Sequence, residues 1–230
     1  MKTKKQDNTP KNRTRIFLVD DHHIVRMGLT QLINQEADLM VCGEAESGKK
    51  ATIGIAEQSP NIAIIDIGLG EDDGLELIKR MGVLNPEVKV LVLSMHDEDI
   101  YAERALRAGA KGYIMKREAA ETVITAIRKV LRGDIYLSAT MSERLLNRIF
   151  RGTPTACGLH VEDLSDRELE VFELIGIGWG TKEIAERLAL SIKTIETYRE
   201  KLKLKLKLKD SSELLRKAIQ WMQTGSLKRQ

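Results

Sequence analysis

A chain of 230 residues that is 42% hydrophobic and 31% charged can build two modest cores, and no apolar stretch in it approaches the roughly 18 residues of a membrane span. Its Lys-rich start lacks the apolar segment of a secretory signal, and its two cysteines, Cys42 and Cys157, stand far apart in unlike contexts, so no disulfide framework is expected and a cytoplasmic location is. The net charge of +3 conceals a division, because residues 1–15 carry six bases and one acid, residues 191–209 carry seven bases and two acids, and the remainder sums to −7. A basic stripe on an otherwise acidic chain points to a localised contact with a polyanion.

Residues 1–14, rich in Lys and interrupted by Pro10, read as a disordered basic tail. From Arg15 to Gly133 short apolar runs alternate with helical periodicity. Strands are expected near 15–19, 39–44, 62–65, 88–93 and 112–115, and helices near 23–35, 48–58, 74–84, 98–108 and 118–132. Alternation of this kind defines βαβ units, so residues 15–133 are expected to form an α/β doubly wound domain, a five-stranded parallel sheet covered on both faces with right-handed crossovers.

After Gly133 the strand pattern stops. A helix near 138–151 and a loose stretch holding Pro154 and Gly158 make residues 134–161 a linker with one helix. Ser165-Asp166-Arg167-Glu168 then forms a capping box. Four helices are expected near 166–176, 181–189, 192–206 and 211–223, with Thr181, Ser191 and Asp210 or Ser211 as N-caps. Residues 162–230 thus make a compact all-α domain. Within it, Lys201 to Lys209 alternates Lys and Leu, the period of a half-exposed strand. Ile195, Tyr198, Leu202 and Leu206 nonetheless recur at helical steps, and both residue types favour helix, so helix is preferred over the first half. Leu204 falls off that apolar stripe.

Chemistry gathers at the strand ends. The run Ile16 to Val19 ends in Asp20-Asp21, and Ile62 to Ile65 ends in Asp66. Ligands of open parallel sheets collect at the carboxyl ends of the strands. At about 4 Å two like charges repel by roughly 4 kcal/mol at an effective dielectric near 20, so three carboxylates meeting there call for a cation, with Mg²⁺ the first choice for oxygen ligands. A single polar residue where a strand becomes a loop is commonplace; the grouping is what argues for function. Ser94 and Lys116 end two further runs with a hydroxyl and an ammonium. A carboxylate that accepts a phosphoryl group needs a metal and hydrogen-bond donors, and this set can supply both. His22, His23, His96 and His160 show no metal-ligand spacing.

In the order acidic pair, acceptor Asp, hydroxyl residue, Lys, the first 133 residues resemble the receiver domain of two-component response regulators, which is flavodoxin-like. The resemblance implies that Asp66 is the phospho-acceptor and that Asp21, Asp66 and the Gly68 carbonyl bind Mg²⁺, with Asp20 helping directly or through water. It further implies that Ser94 and Lys116 contact the phosphoryl group, that Tyr113 is the switch aromatic, and that a sensor histidine kinase or a small phosphodonor supplies the phosphoryl. Gly70 departs from the family's usual Pro and is followed by Glu71-Asp72-Asp73, which is expected to loosen the loop; Gly74 keeps the usual glycine. An aspartyl-phosphate enzyme of the haloacid dehalogenase type would carry a second Asp two residues after the nucleophile. Gly68 stands there, so no enzyme is expected beyond a receiver that catalyses its own phosphorylation and dephosphorylation.

Leu164 to Glu168, Glu170-Val171, Thr181 to Ala185, Leu188, Ser191, Thr194-Ile195 and Lys205-Leu206 resemble the LuxR-type helix-turn-helix domain, over about residues 162–225. With the receiver this is the layout of the NarL/FixJ family, and it implies a transcription regulator that dimerises on promoter half-sites, partly through its last helix. On a helix starting near Ile192, Lys193, Glu196, Thr197 and Glu200 share one face, which would enter the major groove of double-stranded DNA. Thr181, Lys182, Lys205, Lys207 and Lys209 are placed to meet phosphates, and Lys193, Arg199 and Lys203 could make either kind of contact. Glu196 or Glu200 either accepts from a cytosine amino group or pairs with Arg199, Lys203 or another nearby base. Two other readings stay open: a regulator indifferent to phosphorylation that uses its receiver for dimerisation or protein contact, and a protein-binding module with no DNA partner.

Overall fold

The structure, a computed structural model, describes residues 13–70, 72–151, 161, 164–188 and 190–227. Residues 1–12 of the expected basic tail, 152–160 of the expected linker, and Glu71 lie outside the described residues. Two compact units divide the chain, one made mainly of residues up to Leu145 and the other from Leu146 onward.

In chain order the elements up to Arg151 are β1 (Thr14–Val19), α1 (His23–Asn34), β2 (Leu39–Ala45), α2 (Gly48–Gln58), β3 (Ile62–Ile65), β4 (Gly68–Leu69), β5 (Asp72–Asp73), α3 (Gly74–Leu84), β6 (Lys89–Ser94), α4 (Glu98–Ala108), β7 (Gly112–Met115), α5 (Ala119–Arg132) and α6 (Ala139–Arg151); all belong to the first unit except β5 and the part of α6 from Leu146, which group with the second. Five strands form one parallel sheet in the order β2-β1-β3-β6-β7. The order reverses between β1 and β3, and that switch point opens a crevice at their carboxyl ends. β3 is buried at all four positions, which is why it reads as an unbroken apolar run. On one face Ile16, Leu18, Ile62, Ile64, Leu91 and Leu93 pack against Leu29 and Ile33 of α1 and Val123, Ala126, Ile127 and Val130 of α5. Strand alternation sends Phe17, Val19, Ala63 and Ile65, also buried, to the opposite face. Each large aliphatic side chain buried in this way stabilises the fold by about 1.5–3 kcal/mol, so both layers are held firmly against the sheet.

Three local features differ from expectation. The Gly70 segment is the tip between β4 and β5, which pair as a two-stranded ribbon, and Gly70 has φ 60°. The left-handed backbone there suits glycine, where the family's usual Pro could not take a positive φ. Lys116–Glu118 form a 3₁₀ turn before α5 begins at Ala119. Tyr136 runs beside β7, its carbonyl accepting from Tyr113 N (2.9 Å) and its N–H donating to the Lys111 carbonyl (2.9 Å).

The second unit holds α7 (Asp166–Ile177), α8 (Thr181–Arg187), α9 (Ile192–Lys205) and α10 (Ser211–Leu227). The capping box forms as expected, with Ser165 N donating to Glu168 Oε2 at 2.8 Å and Ser165 Oγ accepting from Glu168 N. Ser191 caps α9 through Thr194 N, and Asp210 rather than Ser211 caps α10 through Glu213 N. Thr181 is not an N-cap: Gly180 takes that position, its N–H satisfied by Glu183, so Thr181 is the first helical residue. α8 stops at Arg187, short of the expected 189, and α10 runs on past 223 to Leu227. The Lys-Leu alternation is helical through Lys205, and Lys207 then turns the chain with φ 55°. Leu202 and Leu206 are buried beneath α9 while Leu204 is 79% exposed on its far side.

Candidate functional site

Three strand ends of the first unit converge on one buried ion cluster. Asp20 follows β1, Asp66 follows β3 and Lys116 follows β7; Asp20 is 3% and Asp66 4% exposed. Lys116 Nζ lies 2.5 Å from Asp66 Oδ2 and 2.7 Å from Asp20 Oδ2. Gly68 N donates to Asp66 Oδ1 at 3.1 Å. Burial pushes the Asp66 carboxyl up to about 6, with Lys116 opposing and Asp20 adding to the rise. Burial also works against the Lys116 ammonium, but Asp66 and Asp20 outweigh it and hold lysine above its ordinary value. The cluster thus keeps an ammonium charged beside a carboxylate whose charge is resisted.

Asp21 stands at the mouth of this pocket, its side chain a third exposed, with His22 Nδ1 2.7 Å from its Oδ1 and 3.2 Å from Asp20 Oδ1. Asp20, Asp21 and Asp66 each bring a carboxylate oxygen, and His22 a ring nitrogen, to within 4.8 Å of one another. Three carboxylates against the single Lys116 ammonium leave two negative charges to be balanced, and an oxygen-rich donor set of that charge fits a hard divalent cation. Gly68 opens β4 two residues after Asp66 and presents no side chain there. The reason Gly74 follows is steric: a Cβ on it would sit 2.6–2.7 Å from the backbone of Asp66 and Ile67.

Ser94, fully buried at the end of β6, accepts from His96 N at 3.2 Å. Tyr113 is turned inward and buried, its hydroxyl donating to the His96 carbonyl at 2.9 Å. Burial, partly offset by a hydrogen bond with Ser94, drives the phenol pKa far above its usual value, so the hydroxyl stays a donor. The His96 ring lies against Tyr101, with centroids 4.7 Å apart. Its Nε2 would touch a Cβ on Gly68 at 3.5 Å, so His96 overhangs the pocket rim. Neither His22 nor His96 is expected here from the sequence pattern. The adjacency of His22 to the acidic pair was the available signal for the first; position two after Ser94 was the only one for the second.

In the second unit α9 presents Lys193, Glu196, Thr197 and Glu200 to solvent on one face, as their spacing predicts, and exposed Leu204 extends that face. Thr197 Oγ1 donates back to the Lys193 carbonyl at 2.9 Å, and Glu200 Oε1 pairs with Lys203 Nζ at 2.8 Å. Lys182, Lys207 and Lys209 are exposed, whereas Thr181, Arg199 and Lys203 are half-buried. Lys205 is also exposed, but its Nζ sits 2.6 Å from Glu168 Oε2, the carboxylate of the capping box. Its charge is therefore engaged within the domain.

Known proteins bear on both sites. A model of the response regulator receiver domain matches residues 16–128, and one of bacterial regulatory proteins of the luxR family matches residues 162–218. The oxygen regulatory protein NreC of Staphylococcus carnosus is 35% identical over 209 residues, 89% of this chain and 96% of that protein. A structure of the RcsB response regulator of Salmonella typhimurium aligns with TM-score 0.58 at 25% identity, covering 91% of this chain and 98% of RcsB. RcsB from Salmonella enterica serovar Typhimurium bound to promoter rprA in the presence of the phosphomimetic BeF₃⁻ aligns with TM-score 0.55 at 26% identity, covering 89% of this chain and 98% of that one. A two-component response regulator of the LuxR family from Aurantimonas covers 60% of this chain and 99% of its own length, at 29% identity and TM-score 0.56. The fold and the two matched domains define a two-component regulator. This chain belongs to the response regulators that join a receiver domain to a LuxR-type DNA-binding domain. No described helix is long and apolar enough to cross a membrane.

Proposed function

We propose that this response regulator is switched by phosphorylation of Asp66 and then regulates transcription by binding DNA half-sites as a dimer. The observation that carries the proposal is the buried triad of Asp20, Asp66 and Lys116, in which one ammonium lies 2.7 Å and 2.5 Å from two carboxylates at the switch point of the sheet. Asp20, Asp21, Asp66 and the Gly68 carbonyl would hold Mg²⁺, which when bound supplies charge neutralisation for the incoming phosphoryl group. An Asp66 oxygen forms the new bond to phosphorus while the bond to the donor's nitrogen or oxygen breaks. A histidine kinase or a small phosphodonor provides that group. Lys116 can transfer its ammonium from carboxylate to phosphoryl oxygen with little movement, and the Ser94 hydroxyl is a second donor. The phosphoryl adds about −1.5 to −2 charges and three acceptor oxygens, enough to draw Ser94 and Lys116 inward and to loosen the tie between Tyr113 and the His96 carbonyl.

For DNA, exposed Lys193, Glu196, Thr197 and Glu200 would face base edges, with Lys182, Lys207 and Lys209 on phosphates. NreC and RcsB support this reading by similarity of the whole two-domain layout. Incubation with Mg²⁺ and acetyl phosphate tests the first step: one acid-stable, base-labile phosphoryl group should appear by mass spectrometry, map to Asp66 and vanish in Asp66→Asn. Incorporation that persists in Asp66→Asn would remove this residue from the role.

A further inference from the structure

Among the described residues the buried charged groups are Asp20, Arg26, Asp66, Arg167 and Glu168. Asp20 and Asp66 belong to the acidic pocket, and Arg167 and Glu168 pair with Glu170 and Lys205. Arg26, 7% exposed on α1, is not accounted for by that chemistry. A guanidinium taken out of water needs compensation from well-placed acceptors. Arg26 finds them on either side of the loop that carries the acidic pair: Nη1 donates to the Asp20 backbone carbonyl at 2.6 Å, and Nε donates to Glu44 Oε2 at 3.2 Å near the end of β2. Its Nη2 lies 3.4 Å from His23 Nδ1. The Asp20 N–H meanwhile donates to the Ala45 carbonyl at 3.1 Å. Both polar groups flanking the Asp20 side chain on the main chain are thus tied down, one by β2 itself and one by Arg26 braced on β2.

We infer that Arg26 is a positioning residue for the divalent-metal site: it fixes the peptide of Asp20, and through it the spacing of the Asp20, Asp21 and Asp66 carboxylates. A guanidinium is suited to this because its fork reaches a carbonyl and a carboxylate at once. Without it the Asp20 carbonyl loses its donor, and the turn into α1 is free to rotate the acidic pair away from Asp66. Residues that hold metal ligands in place contribute about 10–100-fold to affinity without touching the ion. The inference rests on the reading of the pocket as a metal site.

The test measures Mn²⁺ binding to the full-length protein by electron paramagnetic resonance of the free ion, with Mg²⁺ as competitor, and thermal unfolding in EDTA alongside. Arg26→Met should weaken both ions about 10–100-fold. Arg26→Lys, which keeps a donor for the carbonyl, should recover part of the loss, and Glu44→Gln, which removes only the brace, should weaken binding in the same direction by less. Variants that melt earlier in EDTA yet bind both ions as the wild type does would overturn the inference and leave Arg26 a purely structural residue. If Arg26→Met does not fold, Arg26→Lys and Glu44→Gln decide the matter between them by the same criterion. A wild-type protein that binds neither ion would instead overturn the metal reading on which the inference stands.

Discussion

Asp66 is stabilised by the fold in its protonated form when no metal is present, because burial and Asp20 oppose its charge more than Lys116 and Gly68 N–H favour it. A carboxyl raised from 3.8 to about 6 contributes stability that is complete below pH about 4 and is lost as the pH rises through 6. The loss amounts to at most about 3 kcal/mol at neutral pH. In EDTA at pH 7.5, Asp66→Asn should therefore resist urea better than the wild type, and the gap should shrink as the pH falls through 6 and close near pH about 4; a gap independent of pH would show that burial of the charge is not its origin. The residues of this pocket that were legible in the sequence, Asp20, Asp21, Asp66, Ser94 and Lys116, are polar groups ending apolar runs, and strand geometry alone sends them to one edge. His22, His96 and Arg26 were not legible as pocket residues. Their places depend on how loops and α1 fold back over that edge, which no periodic pattern encodes.

At the level of single elements, α9 and the turn after it separate stability from binding. Lys207 holds φ 55°, which disfavours a side chain with a Cβ by about 1–2 kcal/mol relative to glycine. Lys207→Gly should raise the melting temperature while lowering DNA affinity and reducing the salt dependence of binding by about one phosphate contact. Lys205→Ala should do the reverse in part: removing the partner of buried Glu168 should destabilise the second unit by about 1 kcal/mol, since half of the lysine side chain remains in water. Equal effects of the two substitutions on both stability and affinity would contradict the division of labour assigned to them. The helices of both units were readable to within a few residues because capping boxes, Asx caps and apolar stripes mark their ends. What escaped was short or non-periodic: the β4–β5 ribbon of two residues a side, and Tyr136 joining the edge of β7 through backbone groups alone.

Over the whole molecule, the two-domain layout couples a chemical input to a DNA-binding output. α10 exposes Leu215 and Ile219, one helical turn apart and each more than a third exposed, and the proposed dimer would form on this apolar surface. The double substitution Leu215→Glu, Ile219→Lys should leave the protein folded and phosphorylatable but reduce dimer on a two-half-site DNA, as read by mass photometry; undiminished dimer would move the interface elsewhere. Coupling between phosphorylation and DNA binding is set by the difference in affinity of the two receiver states, commonly about 1–3 kcal/mol. The most direct test takes sites enriched from genomic DNA and measures affinity before and after treatment with acetyl phosphate and Mg²⁺, for the wild type and Asp66→Asn. A gain of about tenfold is expected in the wild type alone, equivalent to about 1.4 kcal/mol. Equal affinity in both states, or the same gain in Asp66→Asn, would contradict it.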